Sequence, residues 1–236
     1  MPSGRRAGQV LGLLLLVQLA GLIVPFVMLA PVAVPGYLTS AAGSAGQIRV
    51  ALLLLLANGV LTTTIAVTLY PRFRTTSPRL ALWLVVLGGG MIALQAVDNM
   101  QVMGMLSLSQ AYGAAGQGAS SVFDTLGPSA AATRRAAHYS LLLVIGAWML
   151  VFSVAWWRSR MVPWMLPAFG VLAAAFHITG VTLPVFLGVR NVPTMGMVLA
   201  LSHTGLALWL IVRGFGARRI GGPPVPGAGS AMPNPD

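Results

Sequence analysis

Apolar residues run through this chain in long blocks, and the polar positions sit mostly between the blocks. Six blocks are long enough to cross a bilayer: about 10–32, 48–70, 80–103, 136–157, 163–187 and 193–214. A hydrocarbon core of about 30 Å calls for roughly 20 residues at a helical rise of about 1.5 Å. The pattern predicts an all-α fold, a polytopic membrane helix bundle of six transmembrane helices forming one domain over residues 1–215. Pro25 and Pro31 fall late in the first block and are expected to kink or end it. The stretch 33–47 is small and polar, and 106–133, rich in Ser, Ala and Gly, reads as the longest loop. Pro128 suits a first helical turn, so the fourth helix could begin as early as 129. The tail 216–236 carries GGPPVPGAG, has no apolar periodicity and reads as disordered.

Charge sharpens this picture. The chain has 14 basic residues, all arginine, against three acids, all aspartate, and a formal charge of +11. A charge at the bilayer centre costs at least ~2.5 kcal/mol, which keeps the arginines at the ends of the blocks. They are scattered in twos and threes and form no basic face, so anionic lipid headgroups are their expected partners and nucleic acid is not. With the N-terminus in the cytoplasm, ten arginines lie inside and four outside. That excess predicts cytoplasmic N- and C-termini in a multi-pass plasma membrane protein. Trp83, Trp156, Trp157, Trp164 and Trp209 all fall near the predicted inner ends, where an interfacial aromatic belt belongs. Arg5 and Arg6 precede an apolar run far longer than the ~7–15 residues of a signal peptide's core, so the first block is expected to stay as a helix. The absence of cysteine excludes disulfides and thiolate metal sites.

Three stretches carry a family resemblance. They are IRVALLLLLANGVLTTTIAVTLYPRFR (48–74), PWMLPAFGVLAAAFHITGV (163–181) and LSHTGLALWLIVRGF (201–215), the last closing on Trp–Leu–x–x–Arg–Gly. In order and spacing, over roughly residues 8–216, the chain resembles the bacterial six-helix membrane proteins called domain of unknown function 4386. The resemblance implies the six-helix bundle and the bacterial inner membrane, and it implies no reaction. Family members tend to carry a glutamate six residues before the last-span Trp. Here that position is His203, six before Trp209.

Few polar side chains fall within the spans, and their depths follow from the helical rise. Gln18, Asn58 and His203 each lie about ten residues from a span end, roughly 15 Å in, and define a midplane layer. His177 lies roughly 21 Å from the inner start of its span, and Asp98 roughly 28 Å beyond Arg79, near the outer boundary. His138 follows Arg134 by one turn near the same boundary. Gln95, Asp98 and Asn99 share one face by i,i+3 and i,i+4 spacing. An ionisable group within a membrane is a functional-site candidate. The candidate ligand-binding set is therefore His203, His177, Asp98, Asn58, Gln18, Asn99 and Gln95, around a polar cavity that opens outward and is shut by the apolar inner half. The competing reading of Gln18 and Asn58 is hydrogen-bonding between helices. Gly88-Gly89-Gly90 and Ala173–Ala175 are expected to let helices approach closely.

No metal and no cofactor is expected. The three histidines and Asp98 differ in depth by more than a helical turn, and His177 and His203 are offset by about 6 Å, which does not suit bis-histidine haem ligation. No phosphate-binding glycine loop is present. Scarcity of acids argues against a cation-coupled transporter. The leading expectation is a non-enzymatic membrane protein that binds a small or lipophilic ligand, or serves as a sensor or partner subunit. The alternative is a small intramembrane enzyme acting on a lipid or isoprenoid, with Asp98 and His177 or His203 as acid and base, although depth places Asp98 and His203 far apart.

Overall fold

A backbone in lipid must satisfy its own N–H and C=O groups, and a helix does so within one segment. The computed structural model describes residues 4–115, 120–188 and 194–215, and among these it contains helices and no strand. The elements are α1 (Gly4–Met28), α2 (Ala30–Ala33), α3 (Tyr37–Ser40), a 3-10 turn at Ala42–Ser44, α4 (Ala45–Phe73), α5 (Pro78–Ala114), α6 (Ser120–Ser159), α7 (Met165–Leu187) and α8 (Thr194–Arg213). Six of them, α1 and α4 to α8, are long and apolar enough to cross a membrane. Outward-facing side chains such as Leu53, Val60 and Val67 on α4 and Leu172 and Phe176 on α7 are exposed, as a lipid-facing surface requires.

Each long helix packs on its neighbour in sequence, and α1 also packs on α8. The order α1–α4–α5–α6–α7–α8 is therefore a closed ring. The α1/α8 seam, which closes it, lies across the ring from the α5/α6 seam.

Small residues set the α1/α8 seam at one end. A Cβ on Gly8 would sit 2.6 Å from the Gly214 Cα, and one on Gly12 would sit 2.6 Å from the Ala207 carbonyl oxygen. Gln9 Nε2 donates to the Ile211 carbonyl at 3.2 Å and fastens the same stretch. Gly214 follows the last turn of α8 with φ +69° and lies against the Arg5 backbone. A glycine is needed there twice over, to end the helix left-handed and to let α1 pass. The Gly of the Trp–Leu–x–x–Arg–Gly pattern thus has a packing cause.

This end of the ring is filled by aromatic rings. Trp148, Phe152 and Trp156 recur every four residues on α6, so they share one face. Trp148 stacks on Phe152 with centroids 4.8 Å apart, and Trp156 meets Phe73 edge-on at 5.3 Å and stacks on Phe215 at 6.0 Å. Arg72 lies over the Phe215 ring at 4.8 Å. The LYPRFR exit of α4 therefore supplies one plug residue, Phe73, and one cation over the plug, Arg72. Trp156 is fully buried in this column, which corrects its place in the interfacial belt. Trp83, Trp157 and Trp164 are exposed, as the belt requires.

The opposite end carries a cap. Tyr37 donates to the Gly127 carbonyl at 3.2 Å, and Ser109 Oγ donates to the Leu38 carbonyl at 2.8 Å while accepting from the Ala42 amide at 2.9 Å. Leu29, Val32, Tyr37 and Ala41 pack with Ile48, Leu52, Val102 and Leu106 into a second apolar core.

The stretch 106–133 is helical for most of its length, which corrects the loop expected there. α5 has 37 residues and α6 has 40, roughly 56 and 60 Å at about 1.5 Å per residue. Both exceed a hydrocarbon core of about 30 Å, so the pair extends well beyond it. Loss of hydropathy at 106 marks the exit from the apolar layer; the helix itself goes on, because Ala and Ser tolerate it. Pro128 lies inside α6 and not at its start. The tail 216–236 lies outside the described residues, as do Arg190 and Pro193.

Candidate ligand cavity

Within the ring, between plug and cap, is a cavity of about 520 Å³. All six long helices line it. Gln18 comes from α1, Asn58 and Thr62 from α4, Gln95 and Asp98 from α5, Arg134 and His138 from α6, His177 from α7 and His203 from α8. Six of the seven sequence-predicted residues thus line one cavity, which Asp98 and His203 share despite their different depths. Depth along each helix axis ignores helix tilt and side-chain reach, and a cavity spanning both levels accommodates both.

Asn99 is the residue that departs from the set. Its Nδ2 donates to the Leu52 carbonyl at 3.0 Å, and its Oδ1 accepts from Gln95 Nε2 at 2.8 Å. Asn99 therefore faces α4 and does not line the cavity. It holds the Gln95 amide in place.

Gln18 hydrogen-bonds across the α1/α4 interface, donating from Nε2 to Thr62 Oγ1 at 2.6 Å. Thr62 spends its own proton on the Asn58 carbonyl at 2.9 Å, so its oxygen can only accept from Gln18. That fixes the amide orientation and leaves Gln18 Oε1 buried without a partner. Asn58 Oδ1, also buried and without a partner, lies 2.9 Å from where a Gly21 Cβ would be. The missing side chain at Gly21 is what lets α4 bring its amide up to α1.

Asp98 is buried and sits between two residues of α6. Its Oδ2 is 3.4 Å from His138 Nδ1, and its Oδ1 is 3.8 Å from Arg134 Nε. Arg134 was assigned by sequence to topology alone, as an outer-side charge. Its i,i+4 spacing to His138 was the available signal, since it places both on the α6 face turned to α5. Asp98 Oδ1, Arg134 Nε and His138 Nδ1 are all buried without a hydrogen bond among the described residues. Asp98 and Arg134 are close enough for charge attraction, and neither α6 side chain meets the geometry of a direct hydrogen bond to the carboxylate.

The two remaining histidines differ. His177 Nε2 lies 3.1 Å from the Leu142 carbonyl, and a carbonyl accepts only, so Nε2 is the protonated nitrogen. Gly146 leaves room for the ring: a Cβ there would lie 3.0 Å from His177 Cδ2. His203 is buried at the floor of the cavity, its ring centroid 6.4 Å from that of Phe152, and its Nε2 has no hydrogen-bond partner among the described residues. Trp148, whose Nε1 donates to the Leu84 carbonyl at 3.1 Å, joins it there.

Of the glycine triad only Gly88 makes a close approach, with Thr63 of α4; Gly89 and Gly90 have open space where a Cβ would go. Ala173 and Ala174 are fully buried, as close helix packing requires.

A family model described as domain of unknown function (DUF4386) matches residues 10–214, nearly the whole of the six-helix ring. The chain belongs to the DUF4386 family. It is an integral membrane protein of that family with six membrane-spanning helices. No curated protein and no solved structure matches it significantly. In this DUF4386 protein the Gly12–Ala207 contact, the LYPRFR exit and every cavity residue named above lie within the matched region, while Gly8 and Phe215 flank it.

Proposed function

We propose that this protein binds a small amphiphilic ligand inside the helix ring, as a ligand-binding or sensing subunit of the bacterial plasma membrane. One observation carries the reading: Gln18, Asn58, Gln95, Asp98, His177 and His203, drawn from five spans with few other polar residues, converge on one cavity of about 520 Å³. Polar groups within a membrane are expensive, and a bundle held together by packing alone has no need to gather them around a void. The size is that of a pocket for a drug-sized molecule, typically about 300–1,000 Å³, and most of the wall is apolar. The arginine distribution supports cytoplasmic termini, with the cavity toward the outer half and the aromatic plug toward the cytoplasm.

The test is native mass spectrometry of the protein purified in mild detergent, with organic extraction of whatever it retains. The wild type should retain a defined small molecule near one-to-one, and Ala200→Phe, which fills the cavity from α8, should release it. Retention of bulk phospholipid alone, unchanged by that substitution, would overturn the reading.

A second reading, an intramembrane enzyme acting on a lipid or isoprenoid, draws support from the Asp98–His138 pair at 3.4 Å. The imidazole beside Asp98 is that of His138; no ion pair links Asp98 to His177 or His203 among the described residues. Its mark would be conversion of the retained molecule to a new product by the wild type and not by His138→Gln.

A further inference from the structure

The lining of the cavity is unevenly exposed. Leu22, Ile23 and Phe26 on α1 and Gly196 and Met197 on α8 are exposed while also lining the void. Every other lining residue is buried or half-buried. The exposed ones fall on two helices that are neighbours in the ring, and they are apolar without exception. The same two helices are pressed together at their other ends, where Gly8 meets Gly214 and Gly12 meets Ala207. The seam is thus closed tightly beside the plug and parted beside the cavity. The parted section faces sideways, toward lipid, while the α2–α3 cap covers the end of the ring over α4, α5 and α6.

Across the ring from this gap, at the α5/α6 seam, stand Asp98, Arg134 and His138. The carboxylate and the guanidinium offset each other's charge, so a charged head meets no net attraction there and bears a desolvation cost. Between Asp98 Oδ1 and Arg134 Nε the separation is 3.8 Å, and neither atom has a hydrogen-bond partner among the described residues. A hydroxyl oxygen seated beside both would donate to the carboxylate and accept from the guanidinium, given a small rotamer adjustment of the flexible Arg134 side chain. A carboxylate head has no proton for Asp98, and an ammonium head has no lone pair for Arg134. Gln18 Oε1, a further buried acceptor without a partner, lines the same void.

We infer that the cavity takes a neutral long-chain alcohol from the lipid phase, entering between α1 and α8, with its hydroxyl at Asp98–Arg134 and its tail lying along Leu22, Ile23, Phe26 and Met197. This rests on the ligand-binding reading above and adds the chemical class and the route.

The test uses the full chain in phosphatidylcholine nanodiscs, whose lipid carries no free hydroxyl. The probes are tetradecan-1-ol, tetradecanoic acid and tetradecylamine, each with a diazirine near the tail end, with labelled positions mapped by mass spectrometry. The alcohol should label residues 22–26 and 196–200 saturably, and unlabelled tetradecanol should compete. Competition by a diacylglycerol would support the same hydroxyl chemistry with a lipid as its source. Gln18→Leu should weaken saturable labelling severalfold, and the Asp98→Asn/Arg134→Gln pair, which leaves no buried charge, about tenfold or more, as loss of a hydrogen bond to a charged group predicts. Saturable labelling by the acid or the amine in preference to the alcohol would overturn the class while leaving the cavity as a binding site. Saturable labelling confined to cavity residues, unaffected by Leu22→Trp or Met197→Trp in both rate and extent, would overturn the lateral route. Labelling spread evenly over all lipid-facing helices and insensitive to the Asp98 and Gln18 variants would overturn the whole inference, and the retained-molecule experiment then decides the broader reading independently.

Discussion

Asp98 of α5 and Arg134 of α6 bring opposite charges within 3.8 Å inside a membrane-spanning ring, yet neither completes a hydrogen bond with the other. Attraction across the seam survives because both side chains are largely shielded from water. Removing one partner alone leaves the other charge stranded. Asp98→Asn should therefore lower stability by on the order of 3 kcal/mol, and adding Arg134→Gln to it should restore most of that loss. Thermal unfolding in detergent micelles reads both; a neutral Asp98→Asn would show that the pair is solvated.

Gln18 offers the opposite profile. Its bond to Thr62 joins α1 to α4, but hydrogen bonds between helices in membranes average only about 0.6 kcal/mol. Gln18→Leu also removes the buried, unpartnered Oε1. Unfolding temperature should stay near that of the wild type, while any retained ligand is held severalfold more weakly. A large drop in stability with the ligand retained would make Gln18 a structural residue only.

The glycines of the ring separate cleanly into two kinds. Gly12→Ala places a Cβ 2.6 Å from a backbone carbonyl oxygen and should cost about 1–3 kcal/mol, because backbone cannot swing aside. Gly89→Ala meets nothing within 4 Å and should be neutral or stabilising, within about 1 kcal/mol. Comparing the two unfolding curves checks the α1/α8 contact directly; equal effects would mean that the seam is not packed as described.

Arginine counts predict that both termini lie in the cytoplasm. A C-terminal alkaline phosphatase fusion should be inactive and a fluorescent protein fusion bright. The reverse pattern would invert the cavity relative to the membrane without changing its geometry.

The sequence carried the six spans plainly, since an apolar block of about 20 residues has few structural alternatives in lipid. It also carried six of the residues that line the cavity, because an intramembrane Gln or His stands out against Leu and Val. Neighbour relations were beyond it. Asn99 shares a face with Gln95 and Asp98 by spacing, yet it binds the Leu52 carbonyl of α4, and only the packing angle between α4 and α5 decides that. Arg134 was hidden for a different reason. Near a span end, an arginine that marks topology and one that reaches into the bundle look the same in sequence. The segment 106–133 misleads because hydropathy reports the solvent and helicity reports the backbone, and the two part company where α5 and α6 leave the apolar layer.

Closure of the ring by its first and last helices has a consequence for biogenesis. α1 enters the membrane first and waits through four further long helices for the partner that packs on its glycine face. Until α8 arrives, Gly8 and Gly12 line an open cleft, and Gln18 has only α4 to shield it. The interior is therefore not closed before α8: a ribosome stalled there leaves an open arc of five long helices with its polar lining turned to lipid. The cavity is complete only once α8 is in place, so a chain cut short before α8 presents the membrane's quality-control proteases with the very side chains that the six-helix ring hides.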